Sequence, residues 1–212
     1  MNRQILSLMT AAMVLMAAFA SCEKDKSGGD DNGGGGDNNP LVINVRVVDG
    51  MDYNDRIATV KAVTYDLNGH EYVVLASGEY AYGEFTLSLP GTFPEKCLYG
   101  IDILYSGVAG TVSDPKAKMG WLMLFAYNNN GKMIGEFWWK NDEGHCWANY
   151  RYSDRNFTIK GHDSHDAEYD CSFTKGWNIE YEIEKGVDFE DLLYTTKRPS
   201  GANLNWYYDD RE

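Results

Sequence analysis

Over most of the chain from residue 41 onward, apolar and polar side chains alternate with a period of two. The segment WNIEYEIE, residues 177–184, shows the pattern most clearly. Its apolar positions are Trp177, Ile179, Tyr181 and Ile183, and its polar positions are Asn178, Glu180, Glu182 and Glu184. Successive side chains of a β-strand point to opposite faces of the sheet, so this spacing turns the apolar row toward a core and the polar row away from it. The chain is therefore predicted to fold mainly as β-sheet.

Similar segments recur along the chain and are separated by clusters of turn residues. They predict an all-β fold, an antiparallel β-sandwich of the immunoglobulin-like or transthyretin-like kind, with about ten or eleven strands and little helix. Asn68 and Gly69 are predicted to form a two-residue hairpin turn, because both residues accept positive φ. The one predicted helix is VDFEDLLYTT, residues 187–196. A closed barrel is the alternative, and it is disfavoured because several segments are apolar in both phases.

Individual segments make more specific predictions. The apolar rows expected to face the core are Ile43, Val45 and Val47, and then Phe85, Leu87 and Leu89. Three further segments are predicted as single strands: LYGIDILY at residues 98–105, MGWLMLFAY at 119–127, and a final edge strand ANLNWYYDD at 202–210.

The first 40 residues predict an export signal and an anchor. Residues 1–21 combine Arg3, an apolar run and small residues, which is typical of a signal peptide. Cys22 follows directly, and FASC resembles the lipobox of bacterial lipoproteins, in which the cysteine is lipidated. Residues 23–40, EKDKSGGDDNGGGGDNNP, contain no aliphatic or aromatic side chain and cannot build a core, so they are predicted to form a flexible tether.

The charge of the chain narrows its partners. The formal net charge is −13, with 32 acidic and 19 basic residues. Nucleic-acid binding depends on cations that neutralise phosphates, so a nucleic-acid partner is not expected. The folded part, residues 41–212, is long enough for one β-sandwich domain; a division into two smaller domains near residues 106–118 is the alternative.

Two blocks of the sequence carry motifs that are similar to those of a known protein family. In the first block, YRYSDRNFTIKG is followed by KGWN; the matching residues are Arg155, Thr158, Ile159, Gly161, Lys175, Gly176, Trp177 and Asn178. In the second, GEFTLSLP is similar to a G-x-F-T-L-x-L-P strand. Both blocks resemble surface lipoproteins of Bacteroidetes whose function is unknown, and the resemblance implies a β-sandwich in the cell envelope. It carries no catalytic residue. The acidic residues just after Cys22 also resemble the export signals that carry Bacteroidetes lipoproteins to the outer face of the outer membrane.

Two tryptophans flank the loop NDEG and form a candidate binding surface. Trp138 lies in GEFWWK and Trp147 in HCWANYR. If Lys140 faces His145 across the loop, Trp138 and Trp147 become cross-strand partners. Paired indoles offer flat apolar surfaces on which the C–H face of a sugar ring stacks.

The same register predicts polar neighbours for the tryptophan pair. Glu136, Asn149 and Arg151 then share the tryptophan face and supply hydrogen bonds to a polar ligand. The alternative is structural, because cross-strand aromatic pairs stabilise sheets without any ligand. A slip of one residue in register inverts the face.

The loop GHDSHD is the second candidate site. His162, Asp163, His165 and Asp166 are residue types that bind divalent metal ions. Aspartate and serine are also ordinary turn residues, and the loop joins two predicted strands. A structural turn is therefore the competing interpretation.

Three cysteines remain after Cys22, and an odd number of thiols cannot pair completely. Cys146 and Cys171 both fall in the inward phase of their strands, so they are the predicted pair if a disulfide forms. Free buried thiols are the alternative.

The sequence contains no recognisable catalytic motif, and no catalytic residue or cofactor is predicted. The expected function is a non-catalytic binding, structural or adhesion module held to the envelope by its lipid anchor, with a glycan or a protein as partner. A carbohydrate-binding accessory module that uses Trp138 and Trp147 is the sharper alternative. A metal-binding or hydrolytic domain is the least favoured one.

Overall fold

The computed structural model describes residues 40–66, 68–105, 107–185 and 191–211. The strands in these ranges are β1 (Leu41–Arg46), β2 (Thr59–Asp66), β3 (Glu71–Glu79), β4 (Glu84–Leu89), β5 (Tyr99–Gly100), β6 (Ala109–Val112), β7 (Lys118–Trp121), β8 (Met123–Tyr127), β9 (Met133–Asn141), β10 (Cys146–Ser153), β11 (Phe157–His162), β12 (Glu168–Phe173), β13 (Gly176–Lys185), β14 (Asp191–Thr195) and β15 (Leu204–Asp210). One α-helix, α1, spans Ile101–Leu104, and 3-10 turns span Gly50–Tyr53 and Glu95–Cys97. The predicted signal peptide, Cys22 and the tether up to residue 39 lie outside the described residues.

The strands form two unequal sheets in a sandwich-like all-β fold, which confirms the predicted class. β1 and β4 make a two-stranded sheet, and the other thirteen strands form one large sheet in the order β3-β2-β8-β9-β10-β13-β14-β12-β11-β6. Three strands branch from this order, because β15 pairs with β9 and β7 pairs with both β10 and β5. Neighbouring strands are antiparallel except for β12 and β14, which are parallel.

The small sheet packs its apolar rows onto the large one, as the alternation predicts. Ile43, Val45 and Val47 are at most 5% exposed, and so are Phe85, Leu87 and Leu89. They meet Val60, Leu124 and Phe137 of the large sheet in one hydrophobic core. Burying a side chain of this size stabilises the fold by about 1.5–3 kcal/mol.

The two faces of the large sheet are named here after neighbouring residues of β9. The Phe137 face contacts the small sheet, and Trp206 and Tyr208 pack against the core between them. Trp139 shares this face and stacks on Trp206. The Trp138 face is the opposite one. Along β10 and β13 the Trp138 face carries Arg151 and Glu180, because these residues alternate with the buried Tyr152 and Tyr181.

A second core covers the far end of the Trp138 face. α1 and the chain after it pack on Met119, Ile159 and Cys171, with Leu104 and Tyr105 at the margin. The prediction of one strand over residues 98–105 is wrong after Gly100. Ile101 is buried and Ile103 is 63% exposed, because Ile101, Leu104 and Tyr105 follow helical spacing.

Two other local predictions, a single strand over residues 119–127 and a two-residue turn at Asn68 and Gly69, are also wrong. Residues 119–127 form two strands, β7 and β8, which part at Leu122 and pair with different neighbours. The β2–β3 hairpin is present, but its strands end at Asp66 and resume at Glu71, which is longer than a two-residue turn allows. The Asp66 carboxylate holds this longer turn by accepting hydrogen bonds from the Asn68 and Gly69 N–H groups at 2.9 and 3.0 Å.

The predicted helix over residues 187–196 is also wrong in its described part. Asp191–Thr195 is strand β14, which pairs with β13 on one side and with β12 on the other. Backbone pairing on both edges outweighs the local helical preference of DLLYT. ANLNWYYDD forms the predicted last strand, β15.

Candidate functional site

The loop between β9 and β10 sets a different register from the predicted one. Lys140 pairs with Trp147 rather than with His145. The Asn141 side-chain oxygen accepts hydrogen bonds from the N–H groups of His145 and Cys146 at 2.9 and 3.0 Å, so the turn closes farther along the chain. The shift is two residues, and a shift of two preserves the face of every side chain.

The candidate residues therefore share the Trp138 face, although their partners differ from the prediction. Glu136, Trp138, Asn149 and Arg151 line one pocket of about 200 Å³. This pocket opens where β10 leaves β9 and pairs with β7 instead. Trp147 does not line it, because it lies between Lys140 of β9 and Glu182 of β13.

The cross-strand partner of Trp138 is Tyr207 of β15. Trp138 is 39% exposed, and the other tryptophans of the described ranges are less exposed. The Tyr207 hydroxyl donates to Asp142 at 2.5 Å, and the Asn205 amide donates to the same oxygen at 2.9 Å. These two hydrogen bonds lower the pKa of Asp142. The sequence showed β15 as a strand, but it carried no signal that this strand would pair with β9.

Glu136 is held by an arginine near the end of the chain. Arg211 donates to both carboxylate oxygens of Glu136, with contacts of 3.1 Å from Nε and 2.6 Å from a terminal nitrogen. The Glu136 side chain keeps only 13% exposure. This forked pair fixes one wall of the pocket at Trp138.

A second pocket adjoins the first and contains the charged pair Arg151 and Glu180. The alternation of apolar and polar residues had placed Glu180 on a face that points away from the core. This second pocket has a volume of about 320 Å³ and lies under α1; its lining includes Tyr105, Trp121, Arg151, Tyr169, Glu180 and Tyr194. The Arg151 guanidinium contacts one Glu180 oxygen at 2.6 Å, and the Tyr105 hydroxyl donates to the other at 3.0 Å. The Glu180 side chain is 2% exposed and that of Arg151 is 23% exposed.

The burial of this pair changes the acidity of its neighbours. Burial alone would lower the pKa of Arg151, but its neighbours Glu180, Tyr105 and Glu182 together outweigh burial and raise the pKa. Burial, and then the Glu180 charge, raise the pKa of Tyr105 well above its usual range. Arg151 therefore stays charged and Tyr105 stays a hydrogen-bond donor at neutral pH.

Glu182 is the neighbouring carboxylate on the same face of β13. Among the described residues, no lysine, arginine or histidine lies within ion-pair distance of it. Burial, followed by the Glu180 charge, raises the pKa of Glu182. The charged side chains of this part of β10 and β13 are therefore one cation, Arg151, and two carboxylates, Glu180 and Glu182.

The predicted metal loop does not assemble a metal site. Within the described ranges, no three His, Cys, Asp or Glu side chains are grouped so that they could hold a metal ion. Asp163 instead accepts hydrogen bonds from the N–H groups of His165 and Ala167 and from the Tyr169 hydroxyl. His162 is exposed at the end of β11, and His165 and Asp166 are exposed in the turn. These contacts fit the turn interpretation.

The predicted disulfide is not formed. Cys97, Cys146 and Cys171 are all buried free thiols. Cys146 lies on the Phe137 face of β10, whereas Cys171 lies in the core beneath α1 on the Trp138 face. The two thiols were both correctly predicted to be buried, but the large sheet has a core on each face and therefore separates them.

Comparison with protein-family models, curated proteins and solved structures gives no match for this chain. Among the described residues, no helix has the length and apolar character needed to cross a membrane.

Proposed function

We propose that this chain is a lipid-anchored cell-envelope protein without catalytic activity, which binds a carbohydrate on the Trp138 face of its large sheet. The observation that carries the proposal is the exposed indole of Trp138, which pairs with Tyr207 and lines a largely apolar pocket that also contains Glu136, Asn149 and Arg151. Sugar rings combine an apolar C–H face with equatorial hydroxyl groups. A site that recognises them needs both an aromatic surface and fixed hydrogen-bonding groups.

The polar groups around Trp138 meet the second requirement. Glu136 and Arg151 line the pocket, and each is held by a charged partner, Arg211 and Glu180 respectively. Asn149 adds an amide that both donates and accepts hydrogen bonds. Groups that are fixed before binding lose little conformational entropy when the ligand arrives.

The carboxylates of the site support binding rather than hydrolysis. Glu136 and Glu180 are both engaged in ion pairs with arginine. A catalytic carboxyl has to face the bond that it protonates or attacks, whereas the Glu136 and Glu180 carboxylates are already occupied by arginine. This arrangement gives no support to the hydrolytic alternative.

The anchor is proposed from the first 22 residues. The predicted signal peptide ends directly before Cys22, which supports lipidation of that cysteine. The tether that follows has a root-mean-square reach of roughly 23 Å. Together with the resemblance to surface lipoproteins, this supports an outer-membrane protein displayed on the cell surface. A binding face carried on a tether of this length stands clear of the membrane.

A structural or adhesion module is the second candidate function. β3 is the end strand of the large sheet, and it exposes Tyr72 and Val74 by 55% and 52%. An exposed apolar edge strand is suited to pairing with another protein. Cross-linking on intact cells tests this candidate, which predicts a protein partner lost when Tyr72 and Val74 are both changed to threonine. It is contradicted if no cross-linked partner appears.

The carbohydrate proposal is tested by affinity electrophoresis through gels that contain pullulan, galactomannan or mixed-linkage β-glucan. At least one polymer is expected to retard the wild-type protein, and Trp138→Ala is expected to remove that retardation because it deletes the stacking surface. Tyr82→Asn is the matched control, since Tyr82 is 81% exposed and precedes β4 rather than lying on the large sheet. Absence of retardation in every polymer, or equal retardation of Trp138→Ala and wild type, contradicts the proposal.

A further inference from the structure

We propose that the Arg151–Glu180 pair determines specificity within the carbohydrate site and selects an uncharged saccharide over an acidic one. This inference rests on the proposed function and names the class of ligand that the site accepts. It follows from the position, the free hydrogen-bond donors and the charge balance of the pair.

Arg151 is placed where a ligand on Trp138 reaches it. Both pockets are lined by Arg151 and Trp121, so the two spaces adjoin at these side chains. Ligand pockets commonly measure about 300–1,000 Å³. The pocket at Trp138, of about 200 Å³, is smaller than that range, and the pocket under α1, of about 320 Å³, is at its lower end. A saccharide chain that stacks on Trp138 and continues under α1 therefore passes directly over the guanidinium.

Arg151 has hydrogen-bond donors left for such a ligand. A guanidinium carries five N–H groups in a fixed fork. The contacts with Glu180 involve Nε and one terminal nitrogen, and Arg151 has no other acceptor among the described residues. Among the described residues, Thr64 Oγ1 is the only side-chain polar atom that is fully buried and has no hydrogen-bond partner. The remaining Arg151 nitrogens have no partner either, so they cannot be fully buried. They face the pockets.

The charge of Arg151 is already matched inside the protein. Glu180 lies 2.6 Å away with 2% exposure, and Glu182 adds a second carboxylate without a cationic partner in the described structure. On the other side of the pocket, Glu136 balances Arg211. Beside Trp138, the Lys140 ammonium lies 5.3 Å from the centre of the Tyr207 ring, and Asp142, which accepts from the Tyr207 hydroxyl, supplies an opposite charge. A ligand carboxylate would meet this arrangement with no net attraction and with repulsion from Glu182, whereas hydroxyl oxygens accept from the free N–H groups at no such cost.

Tyr105 is a positioning residue, because it holds the Glu180 carboxylate in place. Its hydroxyl donates to the Glu180 oxygen that faces α1, which leaves the other oxygen for Arg151. Both carboxylate oxygens of Glu180 are already engaged, one by Tyr105 and the other by Arg151. The role of this carboxylate is to orient and neutralise Arg151.

The test compares retention by each native polymer with retention by the same polymer after oxidation of its C6 hydroxyl groups to carboxylates. The wild-type protein is expected to bind the native form at least about fivefold more tightly. Glu180→Gln removes one negative charge beside Arg151 and is expected to shift this ratio toward the oxidised form by roughly tenfold.

A second variant, Glu182→Gln, is expected to shift the ratio in the same direction by a smaller factor. It tests the inference if Glu180→Gln does not fold. Glu84→Gln, which changes the net charge equally on β4, is expected to leave the ratio unchanged.

The results separate the inference from the function on which it rests. If wild type binds a native polymer but binds the oxidised form equally well or better, the inference is overturned while the carbohydrate function stands. Unchanged ratios in the folded Glu180→Gln and Glu182→Gln proteins overturn it as well. If no native or oxidised polymer is retained by wild type, the proposed function fails and the inference fails with it.

Discussion

Arg151 and Glu180 form a 2.6 Å ion pair across adjacent strands, although Glu180 belongs to the polar row of the most regular strand in the chain. The pair is buried because α1 and Tyr105 cover this end of the Trp138 face. It occupies the point at which the two pockets adjoin. The polar row of β13 therefore forms part of the interior of the protein and of its candidate site.

The first prediction concerns the stability of this pair. Glu180→Ala is expected to lower the free energy of unfolding by about 3 kcal/mol, because it leaves a mostly buried guanidinium without its counter-ion. The double variant Arg151→Met with Glu180→Leu is expected to lose much less, because it removes both charges at similar volume. Urea unfolding measures both values. An equal loss in the single and double variants would contradict the pairing.

The second prediction tests which side of β9 faces the core. Trp139 stacks between Tyr150 and Trp206, with centroid distances of 5.7 and 5.5 Å. Trp139→Ala is expected to destabilise the protein by about 3–5 kcal/mol. Trp138→Ala, one position away on the open face, is expected to cost about 1 kcal/mol or less. The opposite order in a urea titration would mean that the two faces have been exchanged.

The third prediction concerns pH. Burial and the nearby Glu180 raise the pKa of Glu182 in the folded protein above its unfolded value. Protonated Glu182 is therefore tolerated at low pH, and stability is lost as the pH rises through the folded-state pKa. Glu182→Gln mimics the protonated form. Its melting temperature is expected to match wild type below about pH 4 and to exceed it at neutral pH.

Differential scanning fluorimetry across this pH range checks that prediction. Glu84→Gln serves as the control, because Glu84 is an exposed residue of β4. A wild-type protein more stable than Glu182→Gln at neutral pH would contradict the prediction, because it would show that the interactions of Glu182 with Tyr194 and Arg151 outweigh its burial.

The fourth prediction concerns the thiols of the folded part. Cys97, Cys146 and Cys171 are buried and unpaired, and burial raises the pKa of each. They are expected to resist an aromatic disulfide reagent in the native protein and to react fully in denaturant, without any prior reduction. In a protein that begins at residue 40, three thiols are expected after denaturation. A single titratable thiol would instead indicate the disulfide between Cys146 and Cys171.

Much of the site could be predicted from the sequence because the direction of a side chain in a strand is a local property. Glu136, Trp138, Asn149 and Arg151 were assigned to one face from their spacing alone, and they line one pocket. The two-residue error in register did not disturb that assignment, since it is a multiple of the strand period. The error arose because the Asn141 side chain caps the turn, which spacing does not reveal.

The alternation from residue 41 onward was sufficient to determine the all-β class, the buried rows of β1 and β4, and the split of each strand into two rows. Only the tertiary structure decided what covers each row. Trp138 meets Tyr207 across 69 positions of sequence, and Glu180 is enclosed by a helix that no local pattern connects to it. The physical reason is that backbone geometry sets the side-chain period within a strand, whereas burial depends on long-range packing between segments whose pairing is settled by the whole core.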